Sequence, residues 1–459
     1  MFAIFSSALT SAITRFITFE LGQNHQRNLK LNFSTSMTIL ICLAILFIIV
    51  SEPLGIWFIN DKMRIAPERI GAAHWVFQCS IITFAINLIS IPYNALIIAH
   101  EKMKAFAYIS MLEVGLKLLV AFALFIPYFD TLKLYAVMLA LVALCIRFVY
   151  ASYAAKNFDE THTRLIYNKE KCKEILSFTG WTCIGGSASI LNNQGVNVLL
   201  NIFFGTAINA ARGITTQVNN AIWSFSSNFM VAVNPQIIKS YASGDFQRTE
   251  FLVFQSARLS LYLIMFLSLP VLIETKFLLN IWLTSIPAET VIFIRILLLQ
   301  TILESISIPL QYLNQATGNI KIYQIIAGGI LLLNFPISWL FLKLGFSAQS
   351  VYYVALVIAF VGLIGRLSVL SRQTGLNARK FFVTIFLKGV LVFTLSVSLP
   401  FVFIHYYSEN TLHNILGLII CVLWSCLIIW TMGLSKAEKH KIVTKVRTII
   451  QKRHAKISR

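Results

Sequence analysis

Residues 89–104 read ISIPYNALIIAHEKMK, and residues 306–321 read ISIPLQYLNQATGNIK. The two stretches align without a gap. They share Ile-Ser-Ile-Pro, a central Leu (Leu96, Leu313), an Ala (Ala99, Ala316) and a closing Lys (Lys104, Lys321). A looser echo has nearly the same spacing. Phe5-Ser6-Ser7 leads through an apolar stretch to a polar turn with Gly22, Gln26 and Arg27, and Phe225-Ser226-Ser227 leads to Gly244, Gln247 and Arg248. Two echoes at one offset of about 220 residues indicate an internal repeat, a common feature of membrane transport folds.

Working outward, 57% of the 459 residues are apolar and only 12% are charged, with a mean hydropathy of +0.76. So few charges could not cover the surface of a soluble protein of this length. Apolar runs long enough to cross a bilayer recur along almost the whole chain. The fold class implied is an all-α polytopic membrane protein. The seven cysteines, Cys42, Cys79, Cys145, Cys172, Cys183, Cys421 and Cys426, show neither a disulfide framework nor metal spacing.

The hydropathy pattern predicts about thirteen spans. They lie near 2–20, 35–58, 73–99, 105–128, 132–153, 176–204, 208–238, 252–280, 290–315, 322–344, 349–370, 382–405 and 413–434. The net charge of +20 is a topology signal rather than a nucleic-acid footprint. Odd-numbered connections and the tail hold about 24 Lys and Arg, against about 7 on the other side, which places the first set and the C-terminus in the cytoplasm. That topology puts Met1 outside, without a signal peptide. Helix 176–204 has no partner at the repeat offset, so a first helix is expected to be missing from the N-terminal half.

The complete design would be two pseudo-symmetric six-helix bundles followed by two further helices. The expected divisions are an N-terminal bundle at 1–153, a cytoplasmic linker at 154–175 and a second bundle at 176–371. Two additional helices at 372–434 and a basic tail at 435–459 complete the chain. On that tail Ile442, Val446, Ile449 and Ile450 share one helical face, which suits either an anionic leaflet surface or a plain solvated tail.

Polar groups inside spans face a cavity or another helix. Ser189, Asn193, Asn197 and Asn201 recur every four residues in one helix; Asn209, Arg212, Thr216 and Asn219 or Asn220 mark the next. A hydrated pathway between these two helices is expected, with interhelical hydrogen bonding as the plainer reading. Gln300, Glu304, Ser307 and Gln311 share a face beside Pro309. Glu304 has no basic residue one turn away in sequence, so it is a candidate for ion coupling or for a structural hydrogen bond. Glu113 and Lys117, at i and i+4, read as a structural ion pair. Basic residues in or beside spans (Arg15, Lys117, Arg147, Arg258, Arg295, Arg366 and Lys388) outnumber Glu113 and Glu304, which favours an anionic cargo. Arg147 and Arg366 read most readily as snorkelling to headgroups.

FSSALTSAITRFITFELGQ together with ISIPYNALIIAHEKMKAFAYISMLEV resembles the polysaccharide-export branch of the multidrug/oligosaccharidyl-lipid/polysaccharide (MOP) exporters, and within it the Wzx-type O-antigen flippases of bacteria. The resemblance implies a MATE-like arrangement of twelve to fourteen helices in two bundles around a central cavity, in the bacterial inner membrane. It implies flipping of undecaprenyl-pyrophosphate-linked oligosaccharide units by alternating access, without a cofactor. The expected partners are that lipid-linked oligosaccharide, membrane lipids, and the polysaccharide polymerase and chain-length machinery; no nucleic acid is implied.

On this reading Arg15, Arg212, Arg258 and Arg295 are the candidate pyrophosphate contacts. Asn193, Asn197 and Asn220 would meet sugar, and Glu304 would couple an ion. Trp181 and Trp223 are candidates for sugar stacking or interfacial anchoring. A drug/cation antiporter of the same superfamily is the alternative, though it would want more buried carboxylates. A membrane-embedded glycosyltransferase or polymerase is the enzyme alternative. Neither a nucleophile–base pair, a phosphate-cradling Gly loop nor a metal cluster is legible in its support.

Overall fold

The computed structural model describes residues 2–125, 130–162, 166–406, 411–435, 438–440 and 444. In chain order the helices are α1 (Phe2–Gly22), α2 (Gln26–Trp57), α3 (Ile70–Ala99), α4 (Met103–Ala123), α5 (Thr131–Asn157) and α6 (Lys169–Phe204). Then come α7 (Thr206–Ala242), α8 (Phe246–Ile273), α9 (Thr275–Trp282), α10 (Thr290–Ser305), α11 (Ile308–Thr317) and α12 (Lys321–Leu332). The last are α13 (Asn334–Lys343), α14 (Ser350–Thr374), α15 (Ala378–Phe381), α16 (Lys388–Tyr406) and α17 (Thr411–Ile428). No strand occurs among the described residues. The architecture is all-α.

Ten helical stretches among the described residues are long and apolar enough to cross a membrane. Backbone polar groups must be satisfied within the segment where water is absent, so helices are the form such stretches take. This is a multi-pass membrane protein. The ten do not include α1, α6 or α7. Ser, Thr, Asn, Gln and Gly punctuate α6 and α7, which are also the two longest helices, at 36 and 37 residues.

Several helices overrun the apolar windows read from the sequence. α2 begins at Gln26, α6 at Lys169 and α8 at Phe246, because a helix continues into solvent after its hydrophobic residues end. Other expected spans are interrupted. The 252–280 stretch breaks at Glu274, between α8 and α9, and the 290–315 stretch breaks at Ile306 and Ser307.

The chain forms two compact units. Unit 1 comprises Met1–Ser187, Val231–Thr249 and Gln315–Gln324; unit 2 comprises Ala188–Met230, Glu250–Asn314 and Ile325–Arg459. The core of unit 1 is the first Ile-Ser-Ile-Pro stretch itself. Leu88, Ile91, Ala95, Leu96, Ile97 and Ala99 are buried against Leu9, Ile13 and Ile17 of α1, Leu29 and Leu40 of α2, and Ile146, Tyr150 and Ala154 of α5. A second cluster in unit 1 joins Ala12 and Phe16 of α1 to Ile175 and Phe178 of α6 and to Ile320. Unit 2 has its own core, in which Leu199 and Leu200 of α6 pack with Phe293 and Ile296 of α10 and Val351 and Tyr352 of α14. Phe293 stacks on Tyr352 with ring centroids 4.4 Å apart.

The repeated motif has two outcomes. Pro92 sits inside the continuous helix α3, although it lacks the N–H that would bond the preceding turn. Arg147 of α5 donates to the Ile89 carbonyl at 2.8 Å, and its guanidinium lies 4.7 Å from the Tyr93 ring centroid. A charged donor from the neighbouring helix thus takes up a carbonyl of the proline-loosened turn, so Arg147 is held inside unit 1 rather than reaching for headgroups. At Pro309 the ladder parts, separating α10 from α11. The second echo is also physical: the turn after α1 packs on the end of α7. A Cβ on Gly22 would lie 2.8 Å from the Ala242 Cβ and from the Lys239 carbonyl oxygen. Only glycine allows that approach.

Candidate functional site

The expected polar ladders of α6 (Ser189 to Asn201) and α7 (Asn209 to Asn220) lie in unit 2. On α6, Leu191, Val198 and Ile202 form one exposed apolar stripe, as suits hydrocarbon. Asn193 and Asn201 are exposed on another face, with Asn197 half-buried between them. α7 differs in kind. From Thr206 to Ser224 its exposed residues include Ala210, Gly213, Thr216, Gln217, Asn220 and Ser224, and none is larger than glutamine. A lipid-facing helix would show Leu, Ile, Val or Phe there, as α6 does. Amides in hydrocarbon would go without partners, so this face belongs against water or a polar cargo.

Neighbouring helices fix the stripe. Thr301 of α10 donates to the Asn219 side-chain oxygen, which holds α7 by its inner side and leaves Asn220 exposed one residue on. Arg212 donates to the Asn193 carbonyl at 3.1 Å, tying α7 to α6 at the edge of the stripe. Of the expected site residues, Arg212 meets the backbone of Asn193, while Asn197 and Asn220 stand on the same two helices. Residues 188–230 of unit 2 contain no carboxylate, so Arg212 gives this surface its sign.

Unit 2 also holds a small pocket in which Asn192, Gln300, Glu304, Asn334 and Arg366 meet aliphatic residues such as Ile330 and Leu331. Gln300 donates to Glu304 at 2.9 Å, and Asn334 donates to the Asn192 oxygen at 2.9 Å. The absence of a basic neighbour for Glu304 held only along its own helix. Arg366, expected at the headgroups, instead lines the same pocket from α14. Sequence reading also passed over Asn192 and Asn334. A signal for Arg366 was present, because Arg147 and Arg366 stand at nearly the same offset as the two Ile-Ser-Ile-Pro stretches.

The other expected phosphate contacts are engaged elsewhere. Arg15, in unit 1, is only 8% exposed. It donates to the carbonyls of Gln315 at 3.1 Å and Ala316 at 3.3 Å, and lies within 4.7 Å of the Phe16 and Phe19 ring centroids. It therefore caps the last turn of α11, whose carbonyls have no partner within the helix. Arg258 pairs with Glu438, which also accepts from the Ser435 backbone and hydroxyl. The Ser435–Glu438 exchange is a capping box that starts the tail, and Arg258 ties it to α8. Arg295 donates to the Leu272 carbonyl at 3.1 Å and the Ile273 carbonyl at 3.4 Å, capping α8. Trp181 carries the Lys321 ammonium 5.4 Å from its ring centroid. Lys117 Nζ lies 2.6 Å from Glu113 Oε1 on an exposed face.

No protein-family model matches the chain, and no curated protein matches it in sequence. Solved structures do match in fold. A MATE transporter in the straight conformation superposes with a TM-score of 0.74 at 12% identity, covering 82% of this chain and 85% of that one. The MATE transporter ClbM in complex with Rb+ gives 0.68 at 12% identity, over 79% and 83% of the two chains. A MOP superfamily transporter from Pyrococcus furiosus, described as having a binding pocket of reverse polarity, gives 0.67 at 14% identity over 81% and 85%. The all-helical fold of this chain is that of the MATE transporters of the MOP superfamily.

Proposed function

We propose that the protein is a transporter that moves a polar, anionic, sugar-bearing amphiphile across the membrane by alternating access, namely a lipid-linked oligosaccharide unit on undecaprenyl pyrophosphate. The observation that carries this reading is the exposed face of α7 from Thr206 to Ser224, which holds amides, hydroxyls and small residues where a lipid-facing helix would hold large aliphatic ones. Amide and hydroxyl groups in series suit sugar hydroxyls, since each can donate or accept. Asn193, Asn197 and Asn220 take that role, and Arg212 meets phosphate. Arg15, Arg258 and Arg295 act by holding helix ends. Glu304, hydrogen-bonded to Gln300 and sharing its pocket with Arg366, is the candidate for ion coupling.

Cation antiport is the second reading, favoured by the fold shared with MATE transporters. A cationic cargo calls for carboxylates, whereas the α6–α7 surface carries Arg212 and no acid. The reverse polarity described for the Pyrococcus furiosus pocket supports the idea that this fold accommodates cargo of more than one charge.

The test is complementation of a strain lacking its O-unit flippase, alongside an efflux assay with lipophilic cations. Restored surface polysaccharide, lost again in Arg212→Ala, supports the proposal. Cation efflux without polysaccharide would overturn it.

A further inference from the structure

Glu274 is a buried acid that nothing above uses. It occupies the break between α8 and α9 at 7% exposure, and its Oε1 has no hydrogen-bond partner among the described residues. It stands at the N-cap position of α9 yet does not cap it. Among the described residues, no cation approaches it within ion-pair distance. The groups that reach it electrostatically are His413 and Cys421 from α17 and Arg295 from α10. Lys276, on α9 itself, is exposed.

Of these, the Arg295 guanidinium is already engaged. The Arg295 Nε–H points at the Leu272 carbonyl and, at 3.4 Å, at the hydroxyl of Thr275, the residue next to Glu274. Arg295 therefore sits one residue from a carboxyl it does not pair with. A carboxylate oxygen buried without a donor is costly, and the lowest-cost remedy is a proton. Burial accordingly pushes the Glu274 carboxyl above its ordinary range, with His413 and Arg295 opposing. The position is remote from the basic tail: Arg258, which holds Glu438, is sixteen residues earlier on α8, roughly 24 Å along the axis.

We propose that Glu274 is a proton-binding site at the end of unit 2 remote from the tail, and that Arg295 reads its charge. With Glu274 neutral, Arg295 stays on the carbonyls of Leu272 and Ile273. When the proton leaves, the carboxylate competes for the guanidinium and uncaps the last turn of α8. The proposal deepens the transport reading, on which it rests for the use of the proton but not for its binding.

The experiment is a pH-titrated infrared difference measurement on the full chain in nanodiscs, following the protonated-carboxyl C=O stretch. Wild type is expected to keep a protonated carboxyl above the ordinary carboxylate range. Glu274→Gln, which preserves shape, loses that band; Glu304→Gln retains it. Arg295→Leu removes a cation and moves the midpoint to higher pH, while Arg295→Lys leaves it nearer wild type. A band unchanged in Glu274→Gln, or no protonated carboxyl above the ordinary range, overturns the proposal. Failure of wild type to complement the flippase strain, with the band and its Glu274 dependence intact, would fall on the transport reading alone.

Discussion

Arg15 separates the two roles open to a buried arginine in this protein. In the structure it donates to the carbonyls of Gln315 and Ala316 and packs between phenylalanine rings. Arg15→Ala strips both carbonyls of a donor at a buried helix end. Hydrogen bonds to charged groups contribute about 1.5–3 kcal/mol each, and the two here share one side chain, so the loss is roughly 3–4 kcal/mol rather than a full sum. Loss of the cation–π contacts adds about 1 kcal/mol. Arg15→Lys is the informative partner. It keeps the charge but not the planar fork that reaches two carbonyls, so it is expected to cost most of what alanine costs. The assay is thermal or denaturant unfolding of purified protein in one detergent, with membrane insertion as control. If Arg15→Ala is as stable as wild type, or Arg15→Lys fully restores stability while alanine does not, the capping account is refuted and the charge itself is what matters.

Gly22→Ala drives a Cβ to within 2.9 Å of the Lys239 backbone and the Ala242 Cβ, and overpacking there is expected to cost about 1–3 kcal/mol in the same unfolding assay. Replacing Asn220 and Thr216 together with Leu makes the α7 face apolar; transport is expected to fall at least tenfold with insertion and thermal stability preserved. The Glu160–His100 pair gives a pH dependence. Burial works to raise the Glu160 carboxyl, but the His100 contact at 3.3 Å, the backbone hydrogen bond and Lys30 outweigh it, so the folded value is depressed. Its stabilisation is therefore present above the ordinary carboxylate range and is lost as pH falls through the depressed value. Unfolding midpoints measured from neutral pH downward should fall more steeply for wild type than for Glu160→Gln.

Much of the fold was legible because the bilayer imposes a coarse rule that composition obeys. The apolar windows, the doubled Ile-Ser-Ile-Pro and the shared offset are properties of residue order, and a helix is the only form such windows can take in hydrocarbon. The amide ladder Asn193, Asn197 and Asn201 was likewise visible, since four-residue spacing places groups on one face whatever packs behind them. Helix ends and interruptions were less visible. Hydropathy reports where lipid is tolerated and carries no mark of the break at Glu274.

Residue order alone determined the all-helical, membrane-spanning class and the internal repeat; the excess of basic over acidic residues read along the spans does not carry into the core, where Arg15 is buried together with Glu20, Glu160, Glu274 and Glu438. The tertiary structure decided what each arginine does. Arg147 serves the Ile89 carbonyl, Arg15 the end of α11, Arg295 the end of α8 and Arg258 the tail, while Arg212 stands at the edge of the polar stripe. The reason is geometric. A guanidinium has several donors on a long stem, and its partners are carbonyls whose availability is set by prolines, helix ends and neighbours far away in sequence.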